Sequence, residues 1–378
     1  MSYLLISGLV ILLGLLILLL KNSRQEETRK PGSLPRPPAS KKKKKANKNK
    51  CFKDSDLAKN VFLREILEKK KEFKIFSLKD YVTLTTRELT ESQKELLYRE
   101  LKKFPLPSGA ALRLSELLRD PYVDSREVAA IAATDPVLSA RLLAIVNSAY
   151  FRPRSGKKVT SIHRAILLLG FNQVRNLLFQ TLLEHAINKH SLLPKEEIQR
   201  IWRHSAIVSV IAGFLAKERN LASGLALTAG LMHDIGKFFL PYFEIHDEGS
   251  CLLQEEELPP LIQEEHRYGF NHPVIGAVLC HIWNLPQEIR QTVAFHHIAD
   301  VAKLSKFPAY LQHIIILVAV SDYLSRFLDE DCEEKYLYEL PAEMLDFFDF
   351  PDPLELLITP KLKKEVEKMT ALLEEFYR

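Results

Sequence analysis

The run from Leu311 to Leu324, LQHIIILVAVSDYL, is apolar at nearly every position and carries one carboxylate, Asp322, near its end. Its length and apolar content read as a buried helix. A carboxylate buried among isoleucine, leucine and valine costs several kcal/mol unless it is paired or bound to a cation. No Lys or Arg lies within a helical turn on its N-terminal side, and Arg326 at i+4 is the one local partner. Two readings follow. Either Asp322 pairs with Arg326 at a surface, or it shares a divalent cation with ligands from elsewhere in the chain.

Candidate ligands exist. His233-Asp234 ends an apolar helical run, Ala222 to Met232, within GLMHDIGK, and Lys237 follows directly. His204 lies in the helix that begins at Pro194, on the stripe that also holds Ile201, Val208, Ile211 and Leu215. A lone histidine on such an apolar face is usually a satisfied core residue. His272 opens HPVIGAVLCHIW, and His296-His297 close EIRQTVAFHH. Imidazole with carboxylate suits zinc, iron or manganese better than calcium or magnesium. His204, His233, Asp234 and Asp322 make one such set. Asp234 could bridge to a second ion on His272, His296 and His297. Two ions would generate a hydroxide near neutral pH and clamp a phosphoryl oxygen. If the site is active, Asp234 and Lys237 are the catalytic candidates, with Lys237 neutralising substrate phosphate. A scaffold in which all these groups fill core roles is the remaining alternative.

The rest of the chain supplies context. Only 13 of 378 residues are glycine, and leucine is abundant, which suits helices. Cysteines 51, 251, 280 and 332 form no CxxC spacing and fit a reduced compartment. Tyr3 to Leu20 is an uncharged run of 18 residues. As a helix at about 1.5 Å per residue it would reach about 27 Å, enough for a bilayer core. It lacks the basic leader and small-residue cleavage site of a signal peptide, so residues 1–20 read as a transmembrane anchor. Residues 21–50 hold 12 Lys and Arg against two Glu, a local net of +10, with four prolines and the run Lys41 to Lys45. That is a disordered basic linker suited to anionic lipid. Positive charge after the anchor places the remainder in the cytoplasm, a single-pass topology at the cytoplasmic membrane. The total of +5 leaves −5 for residues 51–378, so no specific nucleic-acid binding is expected of the folded part.

Residues 51–104 read as a helical connector. Thr90 and Gln93 form a capping-box pattern ahead of Leu96, Leu97, Leu101 and Phe104. Helix starts follow at Asp124 with Glu127 and at Asp135-Pro136, the latter continuing through Leu138, Leu142, Leu143 and Val146. One helix runs from Ile162 to Leu169 and stops at Gly170, and another spans Gln173 to Ala186. After an acidic loop, Asp329 to Glu334, a last helix starts with Thr359 as cap and Pro360 at its first position. Its Leu362, Val366, Met369 and Leu373 share one face, which fits core packing better than a short dimer seam.

The order His204, His233-Asp234, Asp322 resembles the H…HD…D pattern of the HD metal-dependent phosphohydrolases. Six phrases resemble, more closely, the HDOD (HD-related output domain) family over about 105–300. They are LPSGAALRLSELLRDP, TDPVLSARLLAIVNSAYF, TSIHRAILLLGFNQVRNLL, IWRHSAIVSVIAGFLA, GLMHDIGKFFL and NHPVIGAVLCHIWNLPQEI followed by FHH. The resemblance implies an all-α fold, an N-terminal helical lobe joined to an HD-like lobe that residues 301–378 complete. It implies a bacterial signalling or regulatory setting with protein partners, since many such domains have no demonstrated hydrolase activity. An active phosphohydrolase on a phosphate ester or nucleotide is the competing expectation. Glu264 matches an acidic position ahead of the third histidine and could be a ligand or a group behind one. His297 is followed by IADVAKLSKFPAYL, not by the GYP element of the related cyclic di-GMP phosphodiesterases, so that substrate does not carry over.

Overall fold

The computed structural model describes residues 61–104, 136–148, 158–170, 174, 187, 192–244, 257–297 and 301–377. The anchor, the basic linker, the helix start at Asp124 and most of the Gln173–Ala186 helix lie outside the described residues.

Helices dominate. In chain order they are α1 (Val61–Lys70), α2 (Glu91–Leu101), α3 (Pro136–Asn147), α4 (Ile162–Leu169), α5 (Lys195–Glu218) and α6 (Ser223–Met232). A 3₁₀ segment, Ile235–Phe243, comes next. It is followed by α7 (Pro260–Tyr268), α8 (His272–Ile282), α9 (Gln287–Phe295), α10 (Ala309–Leu328), α11 (Ala342–Phe347) and α12 (Pro360–Tyr377). One feature departs from an all-α expectation. Lys74–Phe76 (β1) and Tyr336–Tyr338 (β2) pair as a two-stranded parallel sheet, Lys74 opposite Tyr336. Neither triplet has a periodic signal of its own. Their pairing is non-local, and it brings Tyr336 and Tyr338 to the edge of the histidine cluster.

Local signals explain several boundaries. Thr90 accepts from the Gln93 amide while the Gln93 side chain accepts from the Thr90 amide, the reciprocal bonds of a capping box. Gly170 ends α4 at a φ of 88°, where a side chain would be strained. Thr359 Oγ1 accepts from the Leu362 amide at 3.2 Å and starts α12.

The core centres on α5, which packs against α6, α10 and α12. Leu362, Val366, Met369 and Leu373 of α12 are buried within the chain, so that face is core. Ala309–Leu328 is the one described helix long and apolar enough to cross a membrane, and 78% of its apolar window is buried inside the fold. It packs on α5, α6 and α9 as a core helix. Each of its buried Ile, Leu and Val side chains contributes roughly 1.5–3 kcal/mol. A handful of them offsets the several kcal/mol that Asp322 costs.

A close approach sets the spacing of the site. A Cβ on Gly230 of α6 would lie 2.8 Å from Ser209 Cα of α5, so only glycine lets these helices meet there. Ser209 Oγ donates to Leu227 O at 2.6 Å across the same contact. The approach brings His204 on α5 and His233 at the end of α6 to ring centroids 5.2 Å apart.

Candidate metal centre

Six elements deliver the polar groups of the interior to one place, α5 among them with His204. His233 is the C-cap of α6, and Asp234 leads into the 3₁₀ segment. His272 is the first residue of α8, whose cap is Asn271: its side chain accepts from the Val274 amide at 3.0 Å. His296 and His297 follow α9, and Asp322 sits on α10. All seven residues expected to ligate metal are brought together, in two groups. Asp234, His272, His296 and His297 form one, and His204, His233 and Asp322 the other. In each, the candidate ligand atoms lie within 4.8 Å of one another.

Asp234 faces both groups. Its Oδ1 lies 3.1 Å from His272 Nε2 and 3.7 Å from His296 Nε2. Its Oδ2 lies 3.4 Å from His233 Nε2 and 3.5 Å from His204 Nε2. Asp322 Oδ1 is 3.1 Å from His204 Nε2, and its Oδ2 is 3.9 Å from His297 Nδ1. Lys237 Nζ contacts Asp234 Oδ2 at 2.7 Å. Arg326 Nη2 lies 3.6 Å from Asp322 Oδ1. The expected pair with Arg326 forms, but it is buried and not at the surface, and Asp322 also faces His204 and His297.

Hydrogen bonds behind the rings fix which nitrogen faces inward. His233 Nδ1 donates to Gly230 O at 2.7 Å, and His296 Nδ1 donates to Val293 O at 2.8 Å. A carbonyl can only accept, so Nδ1 carries the hydrogen and the Nε2 lone pair points into the cluster. Glu264 does the same for His272, accepting from its Nδ1 at 2.7 Å and from its amide at 2.8 Å. Glu264 is thus a support behind a ring, the arrangement found behind metal-bound histidines. His272 Nε2 and His296 Nε2 are left facing each other at 3.3 Å.

Four buried atoms of this cluster have no hydrogen-bond partner: His204 Nε2, His233 Nε2, Asp234 Oδ1 and Asp322 Oδ1. Inward lone pairs opposite carboxylate oxygens repel one another in a dry site, and a cation between them satisfies all. The donor set, imidazole with carboxylate, fits a divalent transition metal.

The electrostatics agree with ligands held deprotonated. Burial, with Arg326 adding to it, pushes His204 down to about 4. Burial likewise pushes His296 down to about 4 and His297 well below its ordinary value. Burial would raise Asp234, but His233, Lys237 and His272 hold it well below the usual carboxylate range. Asp322 is held low in the same way against its burial, by His204 and Arg326. His272 is the exception. Burial lowers it, but Glu264 and Asp234 together raise it above its ordinary value.

A cavity of about 490 Å³ opens beside the cluster, with His204, Asp234 and Lys237 among its lining residues. It also holds groups that sequence reasoning left without a role. Arg200 and Arg203 of α5, Arg326 of α10 and Tyr336 of β2 line it too. Nothing in the local pattern marks Arg200 or Arg203, because their partners lie more than 120 residues away.

A helical lobe with a His, His-Asp and Asp constellation inside it defines a protein of the HD phosphohydrolase superfamily type. Residues 104–299 match the HDOD domain, and the chain belongs to that family. An uncharacterized protein of Treponema pallidum (strain Nichols) is 26% identical over 258 residues, 67% of this chain and 47% of that one. A ribonuclease Y of Thermus thermophilus is 30% identical over 147 residues, 38% of this chain and 20% of the enzyme. The chain therefore spans about half of the first relative and a fifth of the second. Two solved structures share the fold. An HDOD domain protein of Geobacter sulfurreducens aligns with a TM-score of 0.54 at 23% identity, covering 76% of this chain and 99% of that one. A protein of Marinobacter aquaeolei named for signal transduction aligns with a TM-score of 0.55 at 20% identity, covering 83% and 66%.

Proposed function

We propose that this chain is a membrane-anchored regulatory protein whose HDOD domain holds one or two divalent transition-metal ions, iron, manganese or zinc, and faces the cytoplasm. The observation that carries the metal reading is the set of four buried, unpartnered atoms on His204, His233, Asp234 and Asp322. His204, His233 and Asp322 would hold one ion, and His272, His296 and His297 a second, with Asp234 reaching both through its two oxygens. A bound ion would supply Lewis acidity and a water of lowered pKa. The chain's own contribution is positional. The carbonyls of Gly230 and Val293 and the carboxylate of Glu264 lock three rings, and Lys237 neutralises Asp234. The uncharged run Tyr3–Leu20 and the basic segment behind it support the anchor and its orientation. The fold shared with a protein named for signal transduction supports a regulatory role.

A second reading, hydrolysis of a phosphate ester, is favoured by the cavity that opens on Asp234 and Lys237 and by the stretch shared with ribonuclease Y. In it, Asp234 and Lys237 act on a bound phosphoryl group. Elemental analysis of the full chain purified in detergent tests the metal. Near one or two equivalents of metal are expected in the wild type, falling by at least one in Asp234→Ala. No metal even after reconstitution overturns both readings. A panel of phosphomonoesters and diesters, with manganese or iron added, then separates them. Turnover lost in Asp234→Ala makes the chain an enzyme, and metal without turnover leaves the regulatory reading. A reporter fused after Arg378 that works only outside the cytoplasm would overturn the orientation.

A further inference from the structure

The acidic loop Asp329–Glu334 lines the cavity beside the candidate metal centre, and its carboxylates pair with arginines that line it too. Arg203 Nε meets Asp329 Oδ1 at 2.9 Å, and its Nη2 meets Asp331 Oδ2 at 2.8 Å. Arg200 pairs with Glu333, and Arg326 pairs with Glu334. The two sides of these pairs differ in how they are held. The Arg326 side chain is 5% exposed and that of Arg203 18%, whereas Asp331 is 70%, Glu333 71% and Glu334 44% exposed. Arg326 is further fixed by the Tyr336 ring 5.0 Å away. Arg203 and Arg326 are therefore held within the fold, whereas Arg200 is 55% exposed, and three of the four carboxylates hang from a solvent-facing loop. The Arg200–Glu333 pair, exposed on both sides, contributes little to stability.

We propose that Arg200, Arg203 and Arg326 form an anion subsite for a phosphate-bearing ligand beside the metal centre, occupied in this structure by Asp331, Glu333 and Glu334 as an internal competitor. The inference deepens the metal-centre reading and rests on it, since the same cavity is lined by His204, Asp234 and Lys237. The geometry favours a phosphate over a carboxylate as the displacing group. Guanidinium forks pair bidentately with phosphate oxygens, and a dianion gains more than one carboxylate from several converging cations. The loop sets a threshold: only an anion that satisfies the arginines better than the loop does reaches the metal-facing groups. An intramolecular carboxylate competes at high effective concentration, so the subsite in the wild type answers only to a multiply charged ligand.

Equilibrium dialysis of the full chain in detergent against labelled inorganic phosphate and pyrophosphate tests this, with metal content measured on the same samples. Asp331→Asn/Glu333→Gln/Glu334→Gln is expected to bind both probes at least tenfold more tightly than the wild type. Adding Arg203→Gln to that triple variant, or Arg200→Gln where Arg203→Gln fails to fold, is expected to return affinity to the wild-type level or below. An unchanged affinity in the triple variant, or a tightening that survives the arginine substitutions, overturns the proposal. The two readings fail separately. Metal present with no tightening removes the subsite alone, and tightening without metal leaves the subsite while removing the metal centre.

Discussion

A Cβ on Gly236 would lie 2.0 Å from the carbonyl oxygen of His272 and 2.8 Å from the Gly276 amide nitrogen. The 3₁₀ segment therefore crosses the start of α8 at a distance only glycine permits. This crossing holds Asp234 Oδ1 within 3.1 Å of His272 Nε2. Both obstructing groups are backbone, so no side-chain rotation relieves the clash. Gly236→Ala is expected to cost about 3 kcal/mol, the upper end of the usual penalty for overpacking. Urea unfolding followed by circular dichroism measures it. Wild-type stability in this variant would mean that the crossing is looser than the geometry requires.

Glu264 touches no candidate ion position, yet it holds His272 by two bonds, at Nδ1 and at the amide. Glu264→Gln keeps an acceptor but loses the charge that raises the basicity of the ring. Loss of such a support lowers metal affinity by about 10–100-fold. Competition with a chromogenic chelator should show that range, with near-normal folding because the glutamine still bonds to the ring. An affinity equal to the wild type would place Glu264 outside the ligand-support network.

Stability of the metal-free protein is expected to fall as the pH drops from 7 to 5. His204 and His296 sit at about 4 in the folded state, against about 6.5 unfolded. Below 6.5 the unfolded chain takes up protons that the folded chain refuses, so stability is lost as the pH falls through this window. His297 acts in the same direction. His272 opposes them: its raised value adds stability that is fully present below 6.5 and is lost as the pH rises through its folded value. Asp234 and Asp322, both depressed, contribute above about 4 and lose that contribution only in more acid solution. His204 and His296 each account for a loss on the order of 2 kcal/mol at pH 5, and with His297 they outweigh His272. Urea titrations in chelator at pH 7, 6 and 5 follow it, and a flat profile would contradict the burial of these rings.

Much of the site was legible because its residues break local patterns. Asp322 interrupts an apolar helix, and His233-Asp234 ends one, so each announces a cost that something distant must offset. Helix limits at Thr90, Gly170 and Thr359 were legible for the same reason, since capping chemistry is local. What was not legible is non-local. The β1–β2 pairing joins triplets some 260 residues apart, with no periodicity to mark either. The acidic loop reads as a solvated charge run until α5 sets Arg200 and Arg203 opposite it. Glu264 carried a signal only through family resemblance, and the bonds to His272 supply its role.

Metal removal gives the last expectation. The seven candidate ligands come from α5, α6, the turn before the 3₁₀ segment, α8, the end of α9 and α10, so a cation there ties together the helices that form the core. A ligand that binds only the folded state stabilises it in proportion to the logarithm of its concentration over Kd, about 2.7 kcal/mol at a hundredfold excess. The metal-loaded protein should therefore unfold several degrees above the chelator-treated protein, and the gap should widen with added metal. Substituting Asp234, which faces both groups, should abolish the gap, whereas His297→Ala should leave the part due to His204, His233 and Asp322. Differential scanning fluorimetry across a metal titration resolves the two cases. Equal melting temperatures with and without metal would show that the buried carboxylates are stabilised by Lys237 and Arg326 alone.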